Sequence, residues 1–245
     1  MEMNANINHQ IRNILRSTNK IVFFGGAGTS TECGIPDFRS SKGLYSKVPE
    51  DTLSSKNLHD HPEQFFAFFR KQRLYPEANP HKGHEILVKW ENEGKLLGII
   101  TQNIDGMHQK AGNKKVVELH GSASRYYCQH CGQKYTLNAF LAMETVPLCS
   151  CHGIIRPDVV LFGEMLNENS VHYAVKLIQE AEVLIIGGTS LVVYPASGLI
   201  DYFNGKLLVM INQSSTDRDR GVDLLMRKSF SEAMTDLDSA MCSIL

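Results

Sequence analysis

The sequence predicts an α/β fold, a parallel Rossmann-like sheet covered by helices on both faces with a small metal-binding module inserted. Three observations carry that reading. Runs that are apolar throughout, IVFF (21–24), LLGIIT (96–101), VVE (116–118), VVLF (159–162), EVLIIGG (182–188) and KLLVMIN (206–212), alternate with helical patterns, as strands buried on both faces do. Polar clusters stand just past the carboxyl ends of those runs, where an open parallel sheet binds its ligands. Four of the six cysteines fall between Cys128 and Cys151.

Taken in order, residues 4–18 place Ile7, Ile11, Ile14 and Leu15 at helical spacing, so an amphipathic helix leads into the strand IVFF. The glycine loop GGAGTSTECG follows, and the stretch 40–60 is polar and irregular, a mobile connection. HPEQFFAFFRKQR and PHKGHEILVKWENEG read as helices, with Pro62 near the start of the first and Pro80 and Gly94 bounding the second. Further helices are expected at 169–181, 195–204 and 231–241. The segment 124–156 shows cysteine pairs and a short helical stretch but no second sheet-helix unit. These patterns divide the chain into a nucleotide-binding domain of 1–40, 84–123 and 157–245, a helical insert at 41–83 and a metal module at 124–156.

Composition narrows the function classes. A length of 245 residues suits one large domain carrying an insert. The net charge of -1 supplies no long-range attraction for nucleic acid or an anionic membrane. No apolar run approaches the length of a membrane span, and the first residues lack the basic start and apolar core of a secretory signal, so a cytoplasmic protein is expected. In a reducing compartment six cysteines do not form a disulfide framework.

Cys128-x2-Cys131 and Cys149-x-Cys151, separated by a loop, have the spacing of one tetrahedral thiolate site for zinc. Four protein ligands leave no open position, so such a site is structural. His130 and His152 stand beside the cysteines as spare ligands.

The loop Gly26-Ala27-Gly28 lets backbone approach a ligand and offers amide N–H groups to phosphate. Thr31 stands where the dinucleotide fingerprint has its third glycine, and no Walker lysine follows. TQNIDGMH at 101–108, GGTSL at 187–191 and Asn212 end neighbouring strands and should face the same crevice. His120 follows VVEL in that crevice, close to Asn103 and Asp105, which suits acid–base work.

With GAGTSTECGIPDFRS, TQNIDGMHQKAG, ELHGS, two cysteine pairs, RPDVVLFGE and GTSLVVYPA in this order, the chain resembles the sirtuins, NAD-dependent protein lysine deacylases, from about residue 20 to about residue 212. The resemblance implies that NAD is consumed: the acyl oxygen attacks the nicotinamide ribose carbon, an alkylimidate forms, and water yields free lysine and O-acyl-ADP-ribose. It implies His120 as the general base, with Asn103 and Asp105 beside it in the catalytic pocket. Gly26, Ala27, Gly28 and Thr31 would line phosphates and ribose, and Asp37, Phe38 and Arg39 would close over the nicotinamide ribose. Gln102, Asn103, Ile104 and Asp105 would form the nicotinamide pocket, while Gly188, Thr189, Ser190 and Asn212 would take the adenosine side. Val160, Leu161 and Phe162 would wall an acyl-lysine tunnel. Gly163 and Glu164 on one edge, Val192 and Val193 on the other, would hold an acetylated peptide as an extended strand.

Departures refine what carries over. The succinyl- and malonyl-removing branch has a Tyr-x-x-Arg pair before the HKGH segment; here Arg70 is preceded three residues earlier by Ala67, which favours a short neutral acyl group. Mono-ADP-ribosyl transfer and removal of other acyl groups are the alternatives on the same fold. Cys33, between the glycine turn and the Pro36–Arg39 lid, reads as an oxidisable thiol beside the cofactor loop or as a small buried filler, the filler favoured, and is assigned no role.

Overall fold

The computed structural model describes residues 7–41, 43–46, 48–72 and 74–242. Its centre is a six-stranded, wholly parallel sheet in the order β3-β2-β1-β7-β8-β9. The strands are β1 (Ile21–Gly25), β2 (Leu96–Thr101), β3 (Val116–Glu118), β7 (Val183–Gly187), β8 (Leu207–Ile211) and β9 (Leu224–Met226). Alternation along β1 sends Phe23 into one apolar cluster and Val22 and Phe24 into the other, so both faces of the sheet are covered.

On the first face lie α1 (His9–Ser17), α4 (Lys82–Asn92) and α8 (Phe230–Cys242). Asn8 caps α1 by accepting from the Ile11 amide at 2.9 Å, and Ile11 and Leu15 face inward. Residues 4–6 of the expected first helix lie outside the described residues. Asp238 of α8 receives the Trp90 indole N–H at 2.9 Å and the Lys89 ammonium at 2.8 Å, which binds α8 to α4. The second face is covered by α7 (Glu168–Glu180) and by a 3-10 helix at Ala196–Tyr202, where the sequence suggested an α-helix.

The run VVLF was expected to be a strand of this sheet, and it is not. Here β6 covers Ile155–Val159 and pairs antiparallel with β4 (Gly121–Cys128), which also pairs with β5 (Lys134–Thr136), in a separate three-stranded sheet. The physical reason is Gly121. Its φ of +73° turns the chain out of the parallel sheet directly after β3, and a Cβ there would stand 2.0 Å from the Asp158 carbonyl oxygen. Because β4 leaves the main sheet, its partner β6 leaves with it. The segment 124–156 therefore does carry a second sheet, with α6 (Leu137–Leu141) against it.

The stretch expected to be irregular, 40–60, holds 3-10 turns at Leu44–Ser46 and Glu50–Leu53 and the helix α2 (Ser55–Asp60), followed by α3 (Pro62–Gln72). Leu53, Leu58, Phe65, Phe66 and Phe69 from this part pack in one cluster with Tyr126, Phe140, Ile155 and Leu161. The Tyr126 and Phe140 rings stack at 4.1 Å. A short helix the sequence reading missed, α5 (Met107–Ala111), starts at Gly106.

Candidate active site

The strand order reverses direction between β1 and β7, where Gly25 sits opposite Gly187 in register. Loops leaving the carboxyl ends of these two strands run to opposite sides, which opens a crevice. A cavity of about 470 Å³ occupies it, continuing across the seam to the small sheet.

The glycines of the first loop are explained by close approach of its neighbour. A Cβ on Gly28 would lie 2.7 Å from the Gly188 Cα, and one on Gly188, at φ +59°, would lie 2.3 Å from the Thr29 amide nitrogen. The amides expected to be open to phosphate are partly committed. Gly26 N–H donates to the Gly187 carbonyl at 3.0 Å, and Gly28 N–H to the Gly188 carbonyl at 2.7 Å. These glycines first dock one loop on the other, which leaves Ala27 and Gly28 lining the cavity. Gly26 lies behind that surface, and Thr31 is exposed and donates to the Gly28 carbonyl at 3.0 Å; neither lines the cavity, and nor does Val192.

Asn103 is buried and directs its amide N–H groups at the Gly26 carbonyl and the Thr29 and Ser30 hydroxyls, at 3.1, 3.1 and 3.2 Å. It therefore ties the end of β2 to the glycine loop. Asp105 accepts from the Met107 amide at 2.9 Å and opens α5. Gln102, Asn103, Ile104 and Asp105 all line the cavity, as the sequence placed them.

His120 stands on the tight turn between β3 and β4, at the seam of the two sheets. Its Nδ1 lies 2.9 Å from the Gln102 carbonyl oxygen, which can only accept, so Nδ1 carries the proton and Nε2 is the basic nitrogen. Burial pushes the imidazole pKa below the ordinary 6.5, although the Gln102 hydrogen bond opposes this. The ring is thus neutral at physiological pH and faces the cavity it lines.

The lid Pro36–Arg39 also lines the cavity. Asp37 accepts from the Ser40 amide at 3.0 Å, the Phe38 ring meets Tyr45 at 5.3 Å, and Arg39 pairs with Glu50 at 3.0 Å. On the other side are Gly188, Thr189, Ser190 and Asn212, with the Asn212 amide donating to the Thr189 carbonyl at 2.6 Å. Ser214, Ser215 and Thr216 complete this side, and no strand-end motif signalled them in advance.

Across the seam, Val160, Leu161, Phe162, Gly163 and Glu164 line the cavity together with Leu53 and Phe69. The Phe162 backbone is already paired with the Leu53 carbonyl and the Ser55 amide. The Glu164 carboxylate holds the Arg156 guanidinium, at 2.9 Å to one of its nitrogens, and the Leu161 amide at 2.9 Å, so its side chain braces the loop. Desolvation raises the Glu164 pKa, but Arg156 and the Leu161 amide outweigh it and hold the carboxyl below its usual range. Tyr194, which lines the cavity, is exposed; Val192 and Met165, the latter 89% exposed, are apolar surface residues adjacent in sequence to lining residues, and do not line it.

Cys128, Cys131, Cys149 and Cys151 come together at the far end of the small sheet, their sulfurs all within 4.8 Å of one another. The pairs Cys128–Cys151 and Cys131–Cys149 stand at 3.5 and 3.6 Å. Tetrahedral zinc at about 2.3 Å from each sulfur needs separations of about 3.8 Å, so the cluster fits a structural zinc. Tyr135 donates to the Cys149 sulfur at 3.0 Å.

An open parallel sheet with a ligand crevice at its switch point, a neutral buried histidine on the seam and a thiolate cluster on an inserted sheet define a nucleotide-binding α/β enzyme with a structural metal module. The Sir2 family profile matches residues 26–195, and this chain belongs to that family, the sirtuins. A protein from Clostridium perfringens named NAD-dependent protein deacetylase is 48% identical over 234 residues, covering 92% of this chain and 96% of the relative. One of the same name from Cutibacterium acnes is 43% identical, covering 95% and 98%. A solved structure described as Sir2–p53 peptide–NAD+ superposes with a TM-score of 0.84 at 37% identity, covering 97% of both chains.

Proposed function

We propose that the chain removes acetyl groups from protein lysine side chains at the expense of NAD, giving nicotinamide, O-acetyl-ADP-ribose and free lysine. The observation that carries this reading is His120: a neutral imidazole, its tautomer fixed by Gln102, between a nucleotide crevice and an apolar tunnel. It is supported by relatives named NAD-dependent protein deacetylase and by the related Sir2 structure with a peptide and NAD+.

NAD, when bound, supplies a glycosidic bond whose cleavage leaves an electrophilic ribose carbon. Gly26, Ala27, Gly28 and Thr31 shape the loop that receives its phosphates. Gly188, Thr189, Ser190 and Asn212 take the adenosine end. Gln102, Asn103, Ile104 and Asp105 surround the nicotinamide, with Asn103 keeping β2 and the glycine loop in register. Asp37, Phe38 and Arg39 lie over the reacting end and exclude water. His120 Nε2 takes a proton from a ribose hydroxyl as general base.

Val160 and Phe162 form the tunnel wall, while Gly163, Glu164 and Val192 border a groove for an acetylated peptide in extended form. The Arg70 guanidinium lies 4.0 Å over the Phe140 ring and donates to the Phe140 carbonyl, away from the cavity, so the acyl end has no cation from this helix and suits a short neutral group. Residues 1–40, 84–123 and 157–245 would form the NAD-binding domain, 41–83 the cofactor-loop insert and 124–156 the zinc module. No helix among the described residues is long and apolar enough to cross a membrane. A four-thiol zinc site requires reduced cysteines, which suits a cytoplasmic enzyme.

The test is a panel of peptides carrying acetyl, succinyl and longer acyl groups, with nicotinamide release measured at fixed NAD. Acetyl-lysine should be turned over and succinyl-lysine should not. Equal or better turnover of succinyl-lysine would overturn the acyl assignment.

A further inference from the structure

Cys33 ends the 3-10 turn Ala27–Cys33 that begins in the glycine loop, while His81 caps α4 and His84 lies in its first turn. One ligand atom from each of the three lies within 4.8 Å of the others. His84 is fully buried, and neither of its ring nitrogens has a hydrogen-bond partner. A buried imidazole must present one N–H and one lone pair, and leaving both unanswered is rare in native proteins. The lone pair is turned into a cluster containing a thiol and a second imidazole.

We propose that Cys33, His81 and His84 form a second transition-metal site, distinct from the four-cysteine cluster, that takes Zn²⁺ or a similar divalent ion favouring thiolate and imidazole. Three protein ligands of this kind leave a fourth position for water. Cys33 borders a surface pocket of about 370 Å³ lined also by Gly34, Leu74, Tyr75, Pro76, Glu77 and Ala78, which opens the sulfur side of the cluster to solvent, although neither histidine lines it. Burial first, and then the charges of Asp105 and Glu32, push the Cys33 thiol up to about 11, so the sulfur is a neutral thiol until an incoming cation displaces its proton; the same two carboxylates favour that cation.

On binding, the Cys33 S–H proton leaves to solvent as the sulfur–metal bond forms, and no oxidation state changes. His84 contributes a nitrogen that no other group uses. His81 now donates its Nε2 proton to the Thr29 carbonyl at 2.8 Å and accepts at Nδ1 from the Gly83 amide at 3.1 Å, with the Ser231 hydroxyl 2.8 Å from the same nitrogen. To ligate, it gives up the Thr29 bond and moves that proton from Nε2 to Nδ1, where the Ser231 hydroxyl turns to accept it and the Gly83 amide loses its acceptor. The ligand atoms must draw in from their present separations to about 2.0–2.3 Å from the ion. An ion held this way braces the end of the glycine turn against α4.

The test uses the full chain with its four-cysteine site loaded with zinc. Co²⁺ is the probe, followed by equilibrium dialysis and by thiolate-to-cobalt charge-transfer absorption. The wild type should take up one cobalt more than either Cys33→Ser or His84→Asn, and the charge-transfer band should be missing in Cys33→Ser. Equal uptake by wild type and Cys33→Ser, or no uptake at all, would overturn the site. Cys33 is only half-buried, so Cys33→Ser keeps the test decisive if His84→Asn does not fold.

Discussion

At the scale of single residues, the structure turns on His120 and the glycine after it. Truncation in His120→Ala removes the proposed base, so acetyl-peptide-dependent nicotinamide release coupled to lysine product should fall roughly 10²–10⁴-fold, measured by product formation at saturating NAD. Because burial depresses the His120 pKa, the base loses its lone pair only when pH falls through that lowered value. The acid limb of kcat/KM should therefore lie below pH 6.5, and a limb at or above 6.5 would contradict the buried, Gln102-bound imidazole. Gly121→Ala places a Cβ against the Asp158 carbonyl at a left-handed φ. Backbone strain alone costs about 1–3 kcal/mol, and the steric clash adds to it, so both Tm and activity should drop. His120, Asn103 and Asp105 were legible in the sequence because polar residues just past buried strands can only face the crevice. The commitment of the Gly26 and Gly28 amides was not, since it depends on the carbonyls of Gly187 and Gly188, residues far along the chain that pack on them only in the folded sheet.

At the scale of elements, the small sheet and the insert behave as one packing unit. Phe69, Leu53 and Leu161 belong to the same apolar cluster as Tyr126 and Phe140, and they also line the acyl end of the cavity. Stripping zinc from the thiolates should loosen that cluster, and KM for acetyl peptide should rise more than KM for NAD; unchanged peptide KM in the metal-free protein would separate the two regions. The Arg156–Glu164 pair has a similar reach. Arg156 is buried and Glu164 partly exposed, so Arg156→Ala leaves the carboxylate with the Leu161 amide and some solvent and should cost about 1–3 kcal/mol in urea unfolding. The Glu164 pKa is depressed in the fold, so its stabilisation is present above the ordinary carboxyl value of 4.5 and is lost as pH falls through the lowered one. The pH dependence of stability in that acidic window should flatten in Arg156→Ala. The main strands were legible because fully apolar runs of that length have few other uses. VVLF looked identical to them, and only the turn at Gly121, which commits β4 and β6 to each other, assigns it elsewhere. The edge strand β9, Leu224–Met226, was not read as a strand, although the equally short β3 was.

At the scale of the whole molecule, the chain is a nearly neutral, doubly covered parallel sheet whose switch-point crevice opens onto an inserted sheet. In the proposed function the nucleotide half and the acyl half meet at His120, so cofactor cleavage and acyl removal should be coupled rather than independent. The order of motifs along the chain made that division readable. Which amides stay open required the loops to be seen together. The most direct measurement is mass spectrometry of the products from NAD carrying a labelled adenine and an acetyl-lysine peptide. Nicotinamide, deacetylated peptide and labelled O-acetyl-ADP-ribose should appear in equal amounts. Adenine label remaining on protein, or NAD bound without turnover, would contradict an NAD-consuming deacetylase.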